Sequence, residues 1–398
     1  MPSNNPSCPD CGSAPVNHTL ESFDNWMEII TNPVLLPLDR LRQWIFPATS
    51  WIGDYLAPVL MEFFVLIKLA RWIDEPEDKI SVRAKCFWEE AKKRGIKMRE
   101  WRLFNLPNET FLAEWKKQKC IFQGLPRPNG PDSDSLIWMD NKAEMKKNFL
   151  MWGIPVAKGR AVFSVKKAIF IFNNLAKPVI VKPASGSRSR HTTIHIETEK
   201  ELIEAFNKAK MICPLVMVEE ELQGSVYRAI VVGGKLEGVL RRDPAAVEGD
   251  GIHTVRELVE IENKKPLRQG PLFHYLVADE ATESELKRQN LNWDSVPMLN
   301  RIVALGTKTS RGVGGALVDV TDIAHPDNIK LFTFIAEKLK DSLVGIDFII
   351  SDIKKSWQEQ PRSGVIECNS MPFIDLHHYP LQGTPRNVAG ALWDIIFR

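Results

Sequence analysis

Two apolar segments near the C-terminus constrain the fold of this chain more than any other feature. Both have the length and composition of β-strands, and a polar stretch joins them; they are residues 344–350 (VGIDFII) and 364–369 (GVIECN). Because side chains alternate between the faces of a strand, Glu367 and Asn369 share one face, while Ile366 and Cys368 point to the other. Asp347 likewise faces away from its apolar neighbours. If the strands pair, the three polar side chains converge.

These three side chains suit a divalent cation. Two carboxylates and an amide oxygen are the hard ligands that Mg²⁺ takes when it also holds substrate phosphates. The alternative interpretation is that Asp347, Glu367 and Asn369 are polar residues that meet solvent at strand ends. Their placement on converging faces favours the metal site.

The bulk composition indicates a globular protein of two or three domains. The 398 residues are 44% hydrophobic and 26% charged. A formal net charge of +2 argues against a nucleic-acid binder that works through a basic surface. The six cysteines are scattered and form no disulfide framework, which favours a reducing compartment. With no evident signal peptide, a cytoplasmic location is expected.

The first 80 residues predict a helical extension. Tryptophans and prolines punctuate helical apolar runs between residues 20 and 75. The densest run, Val59–Ile73, is interrupted by charges and falls short of the about 20 apolar residues of a membrane span. We predict a buried helical subdomain; the alternative is an amphipathic segment that lies on a membrane or a partner.

The N-terminus carries half of a zinc-binding pattern. A structural zinc site needs four ligands, and no second close cysteine pair follows Cys8 and Cys11. His18 does not complete the set. An exposed tail is therefore the favoured interpretation.

Local signals predict the elements of the remaining chain. Thr198 with Glu201, and Thr254 with Glu257, have the spacing of helix capping boxes. The pair 233–234 (Gly-Gly) between two apolar runs predicts a β-hairpin. Strands and helices are expected in an α/β region from residue 81 to 140 and again beyond it.

Several groups of residues that follow one another along the chain are suited to bind ATP. Phosphoryl transfer depends mostly on positioning and on charge stabilisation. Lysines can reach the phosphates, a small polar loop can donate N–H groups to them, and a strand end can present polar groups to adenine. In that order the candidates are Lys142 and Lys182; the loop residues Gly186, Ser187, Ser189 and Arg190; and Glu219, Glu220, Glu221 and Leu222.

From about Asp140 to the C-terminus the chain resembles the ATP-grasp ligases. The likeness is nearest to the ATP-grasp module of cyanophycin synthetases and of bacterial glutamate–cysteine ligase/glutathione synthetases. It covers roughly two-thirds of the chain. The matching segments are 181–183, 218–219 with Gly224 and Arg228, 242–245, 249–255, 294–297, 319–322, 325–328, 345–347, 366–369 and 383–389.

The resemblance implies an α+β ATP-grasp fold in which two subdomains sandwich ATP. The expected subdomains are 141–224 and 225–398, preceded by the 81–140 domain and the 1–80 extension. It further implies that Lys142 and Lys182 contact phosphates and that Glu219 accepts from the adenine amine. By the same likeness, Arg228 and Arg242 face the acyl phosphate, and the predicted metal ligands are Asp347, Glu367 and Asn369.

The implied activity is an ATP-dependent carboxylate–amine ligation, with Mg²⁺ or Mn²⁺ as the metal. The γ-phosphate passes to a carboxylate, and an amine attacks the acyl phosphate to form an amide or peptide bond. The expected partners are a small acid and an amine of the amino-acid class, in a homo-oligomer. Two alternatives stay open: a phosphoryl transferase, and a nucleotide-binding regulatory or scaffold protein whose active centre has decayed.

The chain also departs from the family pattern. Ser189 and His191 stand where glycines are usual, and Val226 replaces the acidic residue that holds the ribose. The segment 310–315 (SRGVGG) replaces another family motif. The Mur-ligase-like domain of cyanophycin synthetases has no counterpart here, so we do not expect the complete two-reaction polymerase.

Overall fold

The computed structural model describes most of the chain but not every predicted site residue. Gly186, Ser187 and Ser189 of the predicted phosphate loop, and most of the segment 310–315, lie outside the described residues. The described residues are 8, 11, 16–27, 29–31, 49–77, 80–126, 138–139, 142–185, 190–269, 275–277, 279–306, 309 and 314–397.

The described residues of the first part of the chain include three helices and an antiparallel sheet of strand order β1-β2-β3-β4. Helices are present in the described parts of the stretch between residues 20 and 75, but strand β1 follows them. Its pairing with β2 shows that the predicted boundary at residue 80 is wrong, because that boundary divides the sheet. The elements are α1 (18–27), α2 (Thr49–Leu66), β1 (Ala70–Ile73), α3 (Val82–Lys93), β2 (Lys97–Leu103), β3 (Thr110–Trp115) and β4 (Gln118–Gln123).

This pairing makes a prediction about truncation. Removal of residues 1–80 should destabilise the protein by about 2–4 kcal/mol more than removal of residues 1–69. The longer deletion also removes Glu77, which lies 2.6 Å from the buried Arg102, and Trp72, whose ring lies 4.4 Å from the Arg99 guanidinium. Urea unfolding of the two truncated proteins measures the difference. Equal stability would contradict a structural role for β1.

The apolar run Val59–Ile73, which was not expected to span a membrane, is divided between two of these elements. Helix α2 ends at Leu66, and β1 supplies the last residues of that apolar run. Among the described residues, no helix combines the length and hydrophobicity needed to cross a membrane.

The middle of the chain folds into a second antiparallel sheet, of strand order β5-β8-β6-β7. Two helices pack against it and bury Phe172 and Phe206. The predicted Thr198–Glu201 capping box is present at the second of these helices. The elements are α4 (Lys142–Met151), β5 (Gly159–Val162), α5 (Val165–Asn173), β6 (Val179–Pro183), β7 (Thr193–Ile196), α6 (Glu199–Lys210) and β8 (Val216–Glu220).

The C-terminal half is built around a five-stranded antiparallel sheet of order β13-β10-β9-β14-β15. The predicted hairpin joins β9 to β10, and Gly233 and Gly234 have the positive φ of 56° and 80° that its turn requires. The elements are β9 (Ser225–Val232), β10 (Lys235–Asp243), β11 (Ala246–Glu248), α7 (Val255–Asn263), α8 (Pro266–Gln269), α9 (Glu280–Arg288), β12 (Ile302–Ala304), β13 (Ala316–Asp319), α10 (Pro326–Leu339), β14 (Leu343–Ile350), β15 (Gly364–Asn369), α11 (Asp375–His378) and α12 (Val388–Ile396).

Both faces of this sheet are covered. Helix α10 packs on one face, where the Phe332 and Phe348 rings lie 5.5 Å apart. On the other face, Ile230 shares a core with α3, α12 and the first sheet, in which Phe87 stacks on Trp393 at 4.1 Å. The region predicted as a separate 81–140 domain therefore shares a core with the five-stranded sheet.

The N-terminal cysteines are not in an exposed tail, so that expectation is wrong. Cys11 is buried, and its thiol lies 3.2 Å from the Nε2 atom of His18. His191, which is distant in sequence, supplies a fourth side chain to the cluster. Sequence spacing could not reveal this set, because only the fold brings residue 191 to the N-terminus.

Candidate active site

Strand pairing brings the three predicted metal ligands to one face of the sheet. In the antiparallel pair β14–β15, Asp347 lies opposite Glu367 and Gly345 lies opposite Asn369. Residues that lie opposite each other in such a pair project to the same side. The predicted convergence of the two strands is confirmed. This face is the one turned away from α10, because Phe348 points into the core beneath that helix.

A β-bulge changes the predicted orientation of one neighbour. Phe348 pairs with Val365, so Ile366 is an extra residue in β15. Val365 consequently enters the core with Cys368, whereas Ile366 lines the cleft beside the metal-ligand face. The expectation that Ile366 points the same way as Cys368 is therefore wrong. Strict alternation fails here because the bulge inserts one residue.

Asp347 is the buried centre of an arginine cluster. It lies opposite Arg228 of the neighbouring strand β9, whose guanidinium donates to both carboxylate oxygens at 2.6 Å. Arg242 of β10 lies 3.4 Å from the same carboxylate. Burial alone would raise the pKa of Asp347, but the charge and hydrogen bonds of Arg228 outweigh it and lower the pKa. The carboxylate is thus held ionised.

A cleft lined by lysines lies beside this face. Glu219, at the end of β8, lies between two of them: Lys146 contacts one carboxylate oxygen, and Lys182 Nζ lies 2.7 Å from the other. Burial would raise the pKa of Glu219, yet the lysine charges lower it. The residues that line the cleft include Lys142, Lys146, Lys182, Glu219 and Ile366.

Glu219 was expected to accept from the adenine amine, and that role stays a prediction. In the ligand-free chain each of its carboxylate oxygens contacts a lysine, so a contact with adenine would use the remaining lone pairs of these oxygens. Lys146 was missed by sequence reasoning. Its signal was its place one helical turn after Lys142 on α4, where residues four apart share a helix face.

Lys142 connects the lysine cleft to the metal-ligand face. Burial lowers the pKa of this lysine, and the charge of Glu367 opposes the shift. The two predicted phosphate-binding lysines, Lys142 and Lys182, therefore line the same cleft, and one of them interacts with a predicted metal ligand.

The other predicted ATP-binding residues lie at the end of β8 and beyond β6. Glu221 accepts from the backbone and ring nitrogens of His195 at 2.6 and 2.8 Å, and Glu220 accepts from the N–H of Ala176 at 3.4 Å. The half-buried Leu222 approaches Gly364 of β15, so this segment bridges the two sheets. Arg190 is half-buried directly after the loop residues outside the described set.

Two buried donors at the site have no hydrogen-bond partner among the described residues. They are the Nε atom of Arg242 and the amide nitrogen of Asn369. A buried donor without an acceptor costs about 1–3 kcal/mol, so such groups are normally satisfied. An anionic oxygen of a bound ligand would satisfy both. The donor set Asp347, Glu367 and Asn369 also has the oxygen chemistry that Mg²⁺ requires.

Comparison with known proteins gives the relatives of this chain. No family model matches. The cyanophycin synthetase of Synechocystis sp. is 34% identical over 251 residues, which cover 62% of this chain and 29% of that protein. The glutathione biosynthesis bifunctional protein GshAB of Mannheimia succiniciproducens is 34% identical over 288 residues, which cover 68% of this chain and 38% of that protein. The chain thus spans less than half the length of these relatives.

The structure agrees with the sequence relatives. The crystal structure of a bifunctional glutathione synthetase from Pasteurella multocida superimposes with a TM-score of 0.65 and 25% identity, covering 80% of this chain and 44% of that one. The resemblance inferred from the sequence motifs is confirmed. The chain therefore has the ATP-grasp fold, and it is a homologue of the cyanophycin synthetases and of the GshAB glutathione biosynthesis proteins.

Proposed function

We propose that this protein is an ATP-dependent carboxylate–amine ligase. The observation that carries the proposal is the shared face of β14 and β15, on which the predicted metal ligands lie beside the buried Arg228 and the half-buried Arg242. The lysine cleft adjoins that face. The homologues named as synthetases of cyanophycin and glutathione support ligation as the reaction class.

The proposed ATP site lies between residues 141–224 and 225–398. Lys142, Lys146 and Lys182 supply positive charge for the phosphates. Asp347, Glu367 and Asn369 would hold Mg²⁺, which supplies charge neutralisation on the phosphates when bound. Gly186, Ser187, Ser189 and Arg190 remain proposed as phosphate-binding residues.

The arginines support acyl-phosphate chemistry in particular. Arg228 is fixed by its two hydrogen bonds to Asp347, so its charge is positioned before any substrate arrives. Arg242 keeps its Nε donor without a partner among the described residues, so it can bind an oxygen of a carboxylate or acyl phosphate. The proposed substrates are therefore an acid and an amine, each of the amino-acid class.

The ligase proposal predicts a strict requirement for two substrates. ATP turnover should be slow without an acceptor, because productive geometry needs both substrates in place. We would screen pairs of amino acids and short peptides, measuring phosphate release and product mass. We expect ADP and phosphate with a matching pair, and a product lighter by one water than the two substrates together. Hydroxylamine should trap the acid as a hydroxamate.

Other outcomes separate the alternatives. A stable phosphorylated product that needs no amine would support a phosphoryl transferase. ATP binding without turnover across the screen would favour a regulatory or scaffold protein. Release of AMP and pyrophosphate would contradict the proposed acyl-phosphate route.

A further inference from the structure

We propose that Cys8, Cys11, His18 and His191 form a structural zinc site that fastens the N-terminal segment to the end of the predicted phosphate loop. One ligand atom from each of the four side chains lies within 4.8 Å of all the others. Two cysteines and two histidines are an established ligand set for tetrahedral zinc. This site is separate from the proposed Mg²⁺ and ATP site and does not depend on the ligase proposal.

The distances within the cluster fit a tetrahedral ion. Zinc bonds of about 2.3 Å to sulfur and about 2.0–2.1 Å to nitrogen place neighbouring ligand atoms roughly 3.3–3.8 Å apart. The Nε2 atom of His191 lies 3.8 Å from the Cys8 sulfur and 3.4 Å from the Cys11 sulfur. The Nε2 atom of His18 lies 3.2 Å from the Cys11 sulfur. These three distances are close to those of a tetrahedral zinc site, and the remaining pairs of ligand atoms lie within 4.8 Å.

Backbone hydrogen bonds orient both the cysteine pair and His191 towards the proposed zinc site. The Cys11 N–H donates to the Cys8 carbonyl at 3.1 Å, a turn that brings the two thiols together. The Nδ1 atom of His191 lies 2.8 Å from the Lys208 carbonyl oxygen, so it carries the proton and donates it there. The Nε2 atom of His191 then carries the lone pair, and this atom faces the thiols. Such a second hydrogen bond is what orients zinc-bound histidines.

Burial and charge make a bound ion the natural partner of these groups. Cys11 and His191 are 3% and 1% exposed. Binding of Zn²⁺ would release the two thiol protons, and two thiolates with two neutral histidines would leave a centre of zero net charge. A neutral centre avoids the large penalty of an uncompensated charge in a buried place. The two thiolates thus neutralise the charge of the zinc ion.

The position of His191 indicates what the site would do. His191 follows the residues 186–190 of the predicted phosphate loop and has a φ of +49°, in the left-handed region that glycine favours. It is also one of the two positions where the sequence departs from the family glycines. The helix that begins at His18 is fastened to the same subdomain, because the Asn25 amide donates to the Ile212 carbonyl at 2.7 Å. Zinc would therefore hold one end of the loop against the N-terminal segment.

The test begins with the metal content of the full-length protein. Protein purified without chelator should contain about one zinc ion per chain by mass spectrometry of the metal. Cys11→Ser and His191→Asn should each reduce the bound zinc to background. The matched controls are Cys120→Ser and the exposed His195→Asn, which lie outside the cluster and should keep the full zinc content.

A second readout identifies the ligands without relying on the stability of a variant. Exchange of zinc for Co²⁺ in the wild-type chain should give the visible absorption of a tetrahedral cobalt site with thiolate ligands. Removal of the metal by a chelator should expose the N-terminal segment, and cleavage between residues 8 and 31 by a protease should accelerate at least tenfold. Returned zinc should reverse both changes.

Three results would overturn the proposal. One is a wild-type protein that neither contains zinc nor binds added Zn²⁺ or Co²⁺. Another is a Cys8–Cys11 disulfide, seen as a mass lower by two hydrogens, in protein that has never been oxidised deliberately. The third is zinc content that is unchanged in folded Cys11→Ser protein.

Discussion

Asp347→Asn should abolish most of the Mg²⁺-dependent turnover while the protein still folds. A metal at the phosphates is worth several kcal/mol of charge stabilisation, which corresponds to a loss of about 10²–10⁴-fold in rate. Asparagine keeps the shape of the side chain and one acceptor oxygen but removes the charge that the metal needs. Turnover as a function of Mg²⁺ concentration, with the matching acid–amine pair, measures the effect.

The same substitution also has a cost in stability, which the measurement must separate from catalysis. Arg228 is 7% exposed, and without Asp347 it loses its buried counter-charge. Breaking such a pair costs about 3–5 kcal/mol. Glu100→Gln is the matched control, because Glu100 pairs with the buried Arg102 in the first sheet, away from the site. It should also lose stability, although less, because Arg102 keeps Glu77 at 2.6 Å, and it should keep its turnover.

The two variants together decide the assignment. If both lose stability and only Asp347→Asn loses Mg²⁺-dependent turnover, the metal role is supported. Turnover within about tenfold of wild type in folded Asp347→Asn protein, at any Mg²⁺ concentration, would contradict it.

Features with local causes could be predicted from the sequence. The Thr198–Glu201 and Thr254–Glu257 capping boxes, and the glycine turn between β9 and β10, are set by neighbouring residues, and all three are present. The convergence of Asp347 and Glu367 needed only strand alternation and the pairing of adjacent strands. Since each cause acts over a few residues, one sequence is enough to reveal it.

Features that depend on distant contacts could not be predicted in this way. The bulge at Ile366 depends on how β15 fits both β14 and the core, and no residue in its own segment announces it. The composition of strand β1 resembles that of the helices before it. Its strand conformation depends on pairing with β2, which begins at residue 97. The partnership of Cys11 with His191 spans 180 residues. Each of these required the folded chain.

Glu219 is the clearest case in which the fold adds contacts to a chemical assignment made from the sequence. Sequence order placed it at the strand end where adenine was expected, but the fold places two lysines on its carboxylate. We propose that Glu219 neutralises the positive charge of these two lysines in the ligand-free protein, whether or not it also contacts adenine. That interpretation leads to a quantitative expectation for the protein without ligand.

Glu219→Gln should destabilise the ligand-free protein by about 3–5 kcal/mol at neutral pH, because the buried Lys146 and the half-buried Lys182 would lose their counter-charge. The neighbouring Glu220→Gln is the matched control; its carboxylate accepts from the Ala176 N–H, and a change within about 0.5 kcal/mol is expected. Chemical unfolding of both variants measures the difference in the free energy of unfolding.

The pH dependence of that difference tests its cause. Burial already lowers the pKa of Lys146, and loss of Glu219 should lower it further, because the carboxylate is what favours the charged form. The folded variant then binds fewer protons than its unfolded state, so its stability rises with pH. The loss in free energy of unfolding relative to wild type should therefore shrink between pH 7 and pH 9. ATP should raise the melting temperature of the variant more than that of wild type, because its phosphates replace the missing negative charge. A deficit that is constant with pH and unaffected by ATP would show that Glu219 supports packing rather than the charge of the lysine cleft.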